Sequence, residues 1–158
     1  NVKGQYFLIC EDDISFDISY MFKQDLKYII SKCPSFDILM LYKTFFDDSL
    51  TETYTKWNNM NLFKPAGAVA YIISRQGINK FAKYNKINNN NIHTTMPFSV
   101  SDDYIYKNLD TYIYKFNFIV TKPFQSTIHN HSSIHLLVEQ MNIMDIQFKY
   151  LNKDYIHS

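Results

Sequence analysis

Glu11, Asp12 and Asp13 stand side by side at the end of the apolar run 5–10, QYFLIC. Three adjacent carboxylates repel one another, and solvent or a bound cation relieves that repulsion. Carboxylate oxygens suit hard divalent ions such as Mg²⁺ or Mn²⁺, which also grip diphosphate oxygens. A second acidic pair, Asp102-Asp103, follows Ser101. Carboxylates there complement the positive end of a helix. His129, His131 and His135 form H-x-H-x3-H. Imidazoles at such spacing could bind a metal, although no cysteine stands near to complete a structural site. Each cluster also has a plain structural alternative: an acidic turn capping a helix, helix-end charge, and solvated loop histidines.

Other residues could serve a ligand. Gly67, after Pro65-Ala66, permits close backbone approach. Lys64 and Arg75 could contact phosphate. Phe45, Phe46 and Trp57 could stack on a sugar or anchor a loop on the core.

Strands and helices must position these groups. Residues 5–10 read as a buried strand delivering the acids at its carboxyl end. In open α/β sheets that is the end at which ligands bind. Ile18, Met21, Phe22, Leu26, Ile29 and Ile30 recur at helical spacing. Cys33-Pro34 stops that helix, because the residue before proline avoids helical angles. Residues 36–42, FDILMLY, read as a second strand, predicting a β-α-β unit paired in parallel with the first. Residues 43–64 read as a long loop with a short strand near Leu62-Phe63. Residues 67–73 form another strand, and Ser74 caps a helix that turns Ile78, Phe81 and Ala82 inward. The asparagine run 88–91 reads as a solvated loop. Ser101 caps a short helix, and residues 111–120 supply one or two strands around Asn117. A final helix starts near Ser133. The order of elements predicts one α/β domain.

Four segments together resemble glycosyltransferase family 25, which includes lipooligosaccharide and procollagen galactosyltransferases. They are ICEDDI, FDILMLY, GAVAYIISRQGINKF and VSDDYIY, in that order. The resemblance covers residues 6–127. It implies a GT-A-like domain over residues 1–158, with a mainly parallel mixed sheet flanked by helices and without the family's upstream region. The family usually has Ala where this chain has Ile78. The resemblance further implies an inverting transfer of a hexose, galactose or glucose, from a UDP-sugar to a glycan or protein hydroxyl. It implies Mn²⁺ or Mg²⁺ bound by Asp13, with Asp12 and Glu11 available to the ion, water or ribose. It points to Asp102, with Asp103 as the other candidate, for the general base. Ala66 and Gly67 would line the donor pocket, and His129 or His131 would complete the metal shell.

Composition narrows the alternatives. Sixteen basic against fifteen acidic residues, a net charge of +1, lack the excess a polyanion-binding protein needs, so no nucleic-acid partner is expected. A 46% hydrophobic share excludes a disordered chain. No apolar stretch approaches the ~20 residues of a spanning helix. Cys10 and Cys33 lie in apolar segments and read as buried reduced thiols. With no leader recognisable, the cytosol is the favoured compartment. Two other functions compete: a non-catalytic carbohydrate-binding or assembly module, and a two-metal phosphohydrolase that would unite the acids with the histidines.

Overall fold

The computed structural model describes residues 4–19, 22–43, 50, 52–59, 69–88, 91–94, 101–121, 140–141 and 143–144. The elements in chain order are β1 (Tyr6–Cys10), β2 (Ile14–Ser15), α1 (Leu26–Lys32), β3 (Ile38–Met40), β4 (Tyr54–Lys56), β5 (Ala70–Ser74), α2 (Arg75–Tyr84), β6 (Asn85–Asn88), β7 (Asn91–Thr94), α3 (Ser101–Asn108), β8 (Thr111–Tyr114) and β9 (Val120–Thr121). A 3-10 turn at Trp57–Asn59 follows β4.

Five strands form one mixed sheet in the order β1-β5-β3-β8-β4. The β-α-β expectation is corrected here. β1 and β3 run in the same direction, but β5 lies between them, antiparallel to both. Among the described residues only the β3–β8 ladder is parallel, while β4 pairs antiparallel with β8. The chain is therefore mixed α/β with a mixed sheet, and its parallel character is confined to that ladder.

Alternation across the strands sorts the core into two layers, because successive side chains point to opposite faces. Leu39, Leu41, Ile72 and Tyr114 pack with Ile29 of α1, and with Phe116, Phe118 and Ile119. Ile38, Met40, Ile73 and Ile113 face the other way, onto Ile78 and Phe81 of α2 and Tyr106 of α3. The structure is thus helix, sheet, helices. Leu39, Met40 and Leu41 are wholly buried, each contributing about 1.5–3 kcal/mol of transfer free energy.

Local signals account for the helix ends. The Asp25 side chain accepts from the Tyr28 N–H at 2.7 Å and starts α1. The expected helix from Ile18 does not form that early: residues 22–25 are not helical and Asp25 is the cap of α1. Cys33, extended at φ −67° and ψ 139°, ends α1 before Pro34. Ser74 caps α2 as expected, its Oγ accepting from the Gly77 N–H at 3.0 Å. Ile78 and Phe81 turn inward, but Ala82 is exposed, one residue beyond the buried stripe. Ser101 is the first residue of α3, not a residue preceding it.

Three further expectations change. The polar stretch 43–64 contains β4, too short and too polar to stand out, while Leu62-Phe63 lies outside the described residues. The asparagine run flanks a hairpin, with Asn88 paired to Asn91. β1 is not buried: it is an edge strand, with Tyr6, Leu8 and Ile9 at 46%, 40% and 41% exposure. Cys10 is accordingly exposed and Cys33 half-buried, both as free thiols. The expected start of the last helix at Ser133 lies outside the described residues, although residues 140–141 and 143–144 are helical and Ile143 packs on the α1-side core.

Candidate functional site

The acidic turn sits at the carboxyl edge of the sheet, where β1, β3 and β8 all end. The register fixes this level: Ile9 and Met40 both oppose Tyr71, and Met40 opposes Ile113. Beyond β1, the Glu11 N–H donates to the Val69 carbonyl at 2.9 Å. The turn at residues 12–13 then leads into β2, which β9 holds through Ile14↔Thr121 and Ser15↔Val120. The three acids are therefore anchored on both flanks, by β5 before the turn and by β9 after it.

Their environments differ. Glu11 and Asp12 are exposed, and Asp13 is half-buried. Asp13 Oδ1 is shielded from solvent and has no hydrogen-bond partner. Leaving a buried polar atom unpaired costs about 1–3 kcal/mol, more when it is charged. A cation would remove that cost. Among the described residues no three His, Cys, Asp or Glu side chains converge as a cage. Mg²⁺-like ions typically use only one or two carboxylates and take their other oxygens from phosphates and water. Asp13, with Asp12 beside it, is the residue of this turn that could hold such an ion.

Among the described residues Asp37 also has an orphaned carboxylate oxygen, Oδ1, and it shows what a structural carboxylate looks like. It is 1% exposed. Its Oδ2 accepts from Lys80 Nζ at 2.6 Å and from the Asp110 N–H at 3.0 Å. It ties α2 and the start of β8 to β3 at the amino edge, away from the acidic turn. Nothing in the sequence reading assigned it a part. The available signal was a lone acid inside the apolar run FDILMLY.

A buried polar knot closes the carboxyl edge. The Lys43 N–H donates to Asn117 Oδ1 at 3.0 Å, and Asn117 Nδ2 returns a bond to the Lys43 carbonyl at 3.1 Å. The Lys43 ammonium, itself buried, donates to the Lys115 carbonyl and lies 3.4 Å from Asn117 Oδ1. The next residue, Phe118, bonds the Leu41 carbonyl at 3.0 Å. This fixes the path of residues 117–121 toward β2 and so supports the far flank of the acidic turn. Sequence reasoning passed over both residues, although Lys43 closes an apolar run and Asn117 interrupts one.

The remaining expected site residues divide cleanly. Asp102 and Asp103 occupy the first turn of α3, as expected, and their side chains lie outside the described residues. The Tyr104 hydroxyl donates to Asn85 Oδ1 at 2.8 Å, which sets the start of α3 against the far end of α2. Lys64, Pro65, Ala66, Gly67, His129, His131 and His135 lie outside the described residues, as do Phe45 and Phe46. Trp57 is buried, its ring 6.2 Å from that of Tyr106, and so anchors the loop on the core. Arg75 stands beyond Ser74, at the opposite end of β5 from Val69. About 20 Å of strand separates it from Val69, at the level of the acidic turn. It therefore does not serve a diphosphate there.

A cavity of about 620 Å³ lies at that opposite, amino edge. Tyr6 and Phe36, stacked at 5.6 Å and 30°, contribute to its wall. Arg75, Lys80 and Lys83 of α2 line it, and none of its lining residues is acidic. The acidic turn takes no part in it.

Among the described residues no helix is long and apolar enough to cross a membrane. No protein-family model matches the chain, and no curated protein or solved structure matches it.

Proposed function

We propose that this chain is a glycosyltransferase domain of the inverting, metal-dependent kind. The turn Glu11–Asp13 would hold Mn²⁺ or Mg²⁺, on which the diphosphate of a UDP-sugar rests, and the hexose passes to a glycan or protein hydroxyl. The observation that carries this reading is Asp13 Oδ1, a buried carboxylate oxygen without a partner inside an acidic turn at the carboxyl edge. Its support is the order of four sequence segments, ICEDDI, FDILMLY, GAVAYIISRQGINKF and VSDDYIY.

A bound cation supplies charge neutralisation for the departing diphosphate. The chain's own residues do the rest. Asp13 binds directly, and Asp12 and Glu11 hold water or the ribose. Ala66 and Gly67 approach the donor sugar through a backbone without bulky side chains. Asp102 takes the proton of the acceptor hydroxyl, with Asp103 the alternative, because a single displacement with inversion needs one base. His129 or His131 completes the ion's shell.

The test is thermal unfolding with UDP, with and without Mn²⁺, alongside turnover of UDP-galactose and UDP-glucose. UDP and Mn²⁺ together raise the Tm by several degrees, since ligand at a hundredfold its Kd stabilises by about 2.7 kcal/mol. Asp13→Asn abolishes the part of that shift that depends on Mn²⁺. The reading fails if the variant keeps that part, or if Mn²⁺ adds nothing to the shift that millimolar UDP gives alone. Binding without turnover of any UDP-hexose selects the non-catalytic module instead.

A further inference from the structure

We propose that the amino-edge cavity is a second, metal-independent site that binds a nucleoside monophosphate. It lies at the far end of the sheet from the acidic turn, and the proposal does not rest on the glycosyltransferase reading. Its volume of about 620 Å³ falls within the range of small-molecule sites.

Two features select the ligand. The first is a flat apolar surface. Tyr6 stacks on Phe36 and still leaves 46% of its surface exposed, on a strand that ends the sheet. An exposed ring held by stacking on a second ring is a platform for a planar base. The second is charge. Arg75, Asn79 and Lys83 recur every four residues and so form one stripe along α2, with Gln76 and Lys80 beside it. Lys80 is matched by Asp37, which bonds it at 2.6 Å. Arg75 is held by the Gly4 carbonyl, at 3.2 Å from Nε and 2.8 Å from Nη2, and by the Phe7 ring at 4.7 Å. Those contacts fix the guanidinium in place. Lys83 is exposed. The helix begins at the cavity, at Ser74 and Arg75, and so turns its positive end toward it.

A phosphate monoester answers the cationic stripe, and a heterocycle answers Tyr6. Gln5, Gln76 and Asn79 add amide donors and acceptors, and Ser35 a hydroxyl, for a base edge or ribose. A nucleoside monophosphate carries all three parts in one molecule of matching size.

Calorimetric titration of the full chain in EDTA tests this with uridine monophosphate, uridine and inorganic phosphate. The monophosphate binds, and each fragment binds at least about tenfold more weakly. Tyr6→Ala and Lys83→Glu each raise its Kd about tenfold. Lys83 is an exposed position near the end of α2, so that variant keeps the test decisive if Tyr6→Ala disturbs β1. In Asp13→Asn, adding Mn²⁺ leaves the affinity unchanged. The proposal is overturned if uridine monophosphate binds no tighter than phosphate, if Lys83→Glu has no effect, or if binding requires Mn²⁺, which would assign the nucleotide to the acidic turn.

Discussion

Gly77 rests directly on the backbone of Asp37. A β-carbon at position 77 would lie 2.7 Å from the Asp37 carbonyl oxygen and 3.1 Å from its Cβ. That carbonyl already accepts the Ser74 N–H at 2.8 Å, so it has no room to retreat. Gly77→Ala therefore forces the first turn of α2 off β3. We expect a loss of about 1–3 kcal/mol in urea unfolding, the usual range for overpacking. The helix preference of alanine offsets it by no more than about 1 kcal/mol. A variant as stable as the parent would contradict the contact.

The Asp37–Lys80 pair is asymmetric: the carboxylate is buried, while the lysine side chain is 41% exposed. Removing the lysine strands a buried charge, whereas neutralising Asp37 leaves an ammonium that can turn to water. Lys80→Met should therefore destabilise more than Asp37→Asn. The double variant should be more stable than Lys80→Met alone, because no buried charge is left behind. Because Lys80 is partly exposed, the coupling is expected at about 1 kcal/mol, below the range for fully buried pairs. Strict additivity in a double-mutant cycle would show that the two side chains do not sense each other.

Asn117→Ala removes one acceptor and one donor from the buried Lys43 backbone. With each orphaned group costing about 1–3 kcal/mol, a loss of at least about 2 kcal/mol is expected. Asn117→Asp keeps the acceptor toward the Lys43 N–H and ammonium, and loses only the donor, so it should cost less. If alanine is tolerated as well as aspartate, the knot does not hold the segment.

Stability should fall on the alkaline side. Burial pushes the Cys33 thiol up from 9.0 to about 12, with the Asp110 charge adding to it. Burial likewise pushes the Tyr54 phenol up from 10.0 to about 12, and raises Tyr114. The Tyr54 hydroxyl donates to the Ile29 carbonyl at 2.9 Å, a bond that needs its proton. The unfolded chain releases these protons first, so the folded state binds more of them between pH 9 and 12. Their stabilisation is complete below pH 9 and is lost as pH rises toward 12. Tm measured from pH 8 to 11.5 should decline, and Cys33→Ala should flatten the first part of that decline. A level profile would refute the assignment.

What the sequence disclosed was local. Ser74 as a cap and Pro34 as a stop are decided by neighbours within four residues, and both hold. The acids at the end of β1 were legible because an apolar run meets three charges. The insertion of β5 between β1 and β3 was not, because the pairing of Leu39 with Ile72 is decided by competition among distant strands. The exposure of Leu8 and Ile9 follows from that arrangement, since their apolar character alone reads as core. Lys43 and Asn117 were missed because they bond across 74 residues. A polar residue at either end of such a pair looks solvated until its partner is placed.

The bond from Glu11 to Val69 sets an order of assembly. A nascent chain that has not yet reached Val69 has nowhere to fasten its acidic corner. The flank beyond the corner waits longer still, for Val120 and Thr121. Chains truncated near residue 60 should therefore leave the corner unformed, and it takes shape only when later segments reach back to residues 11–15. Such long-range closure is slow compared with helix formation. The chemistry proposed for this protein thus depends on the last-arriving parts of its sheet.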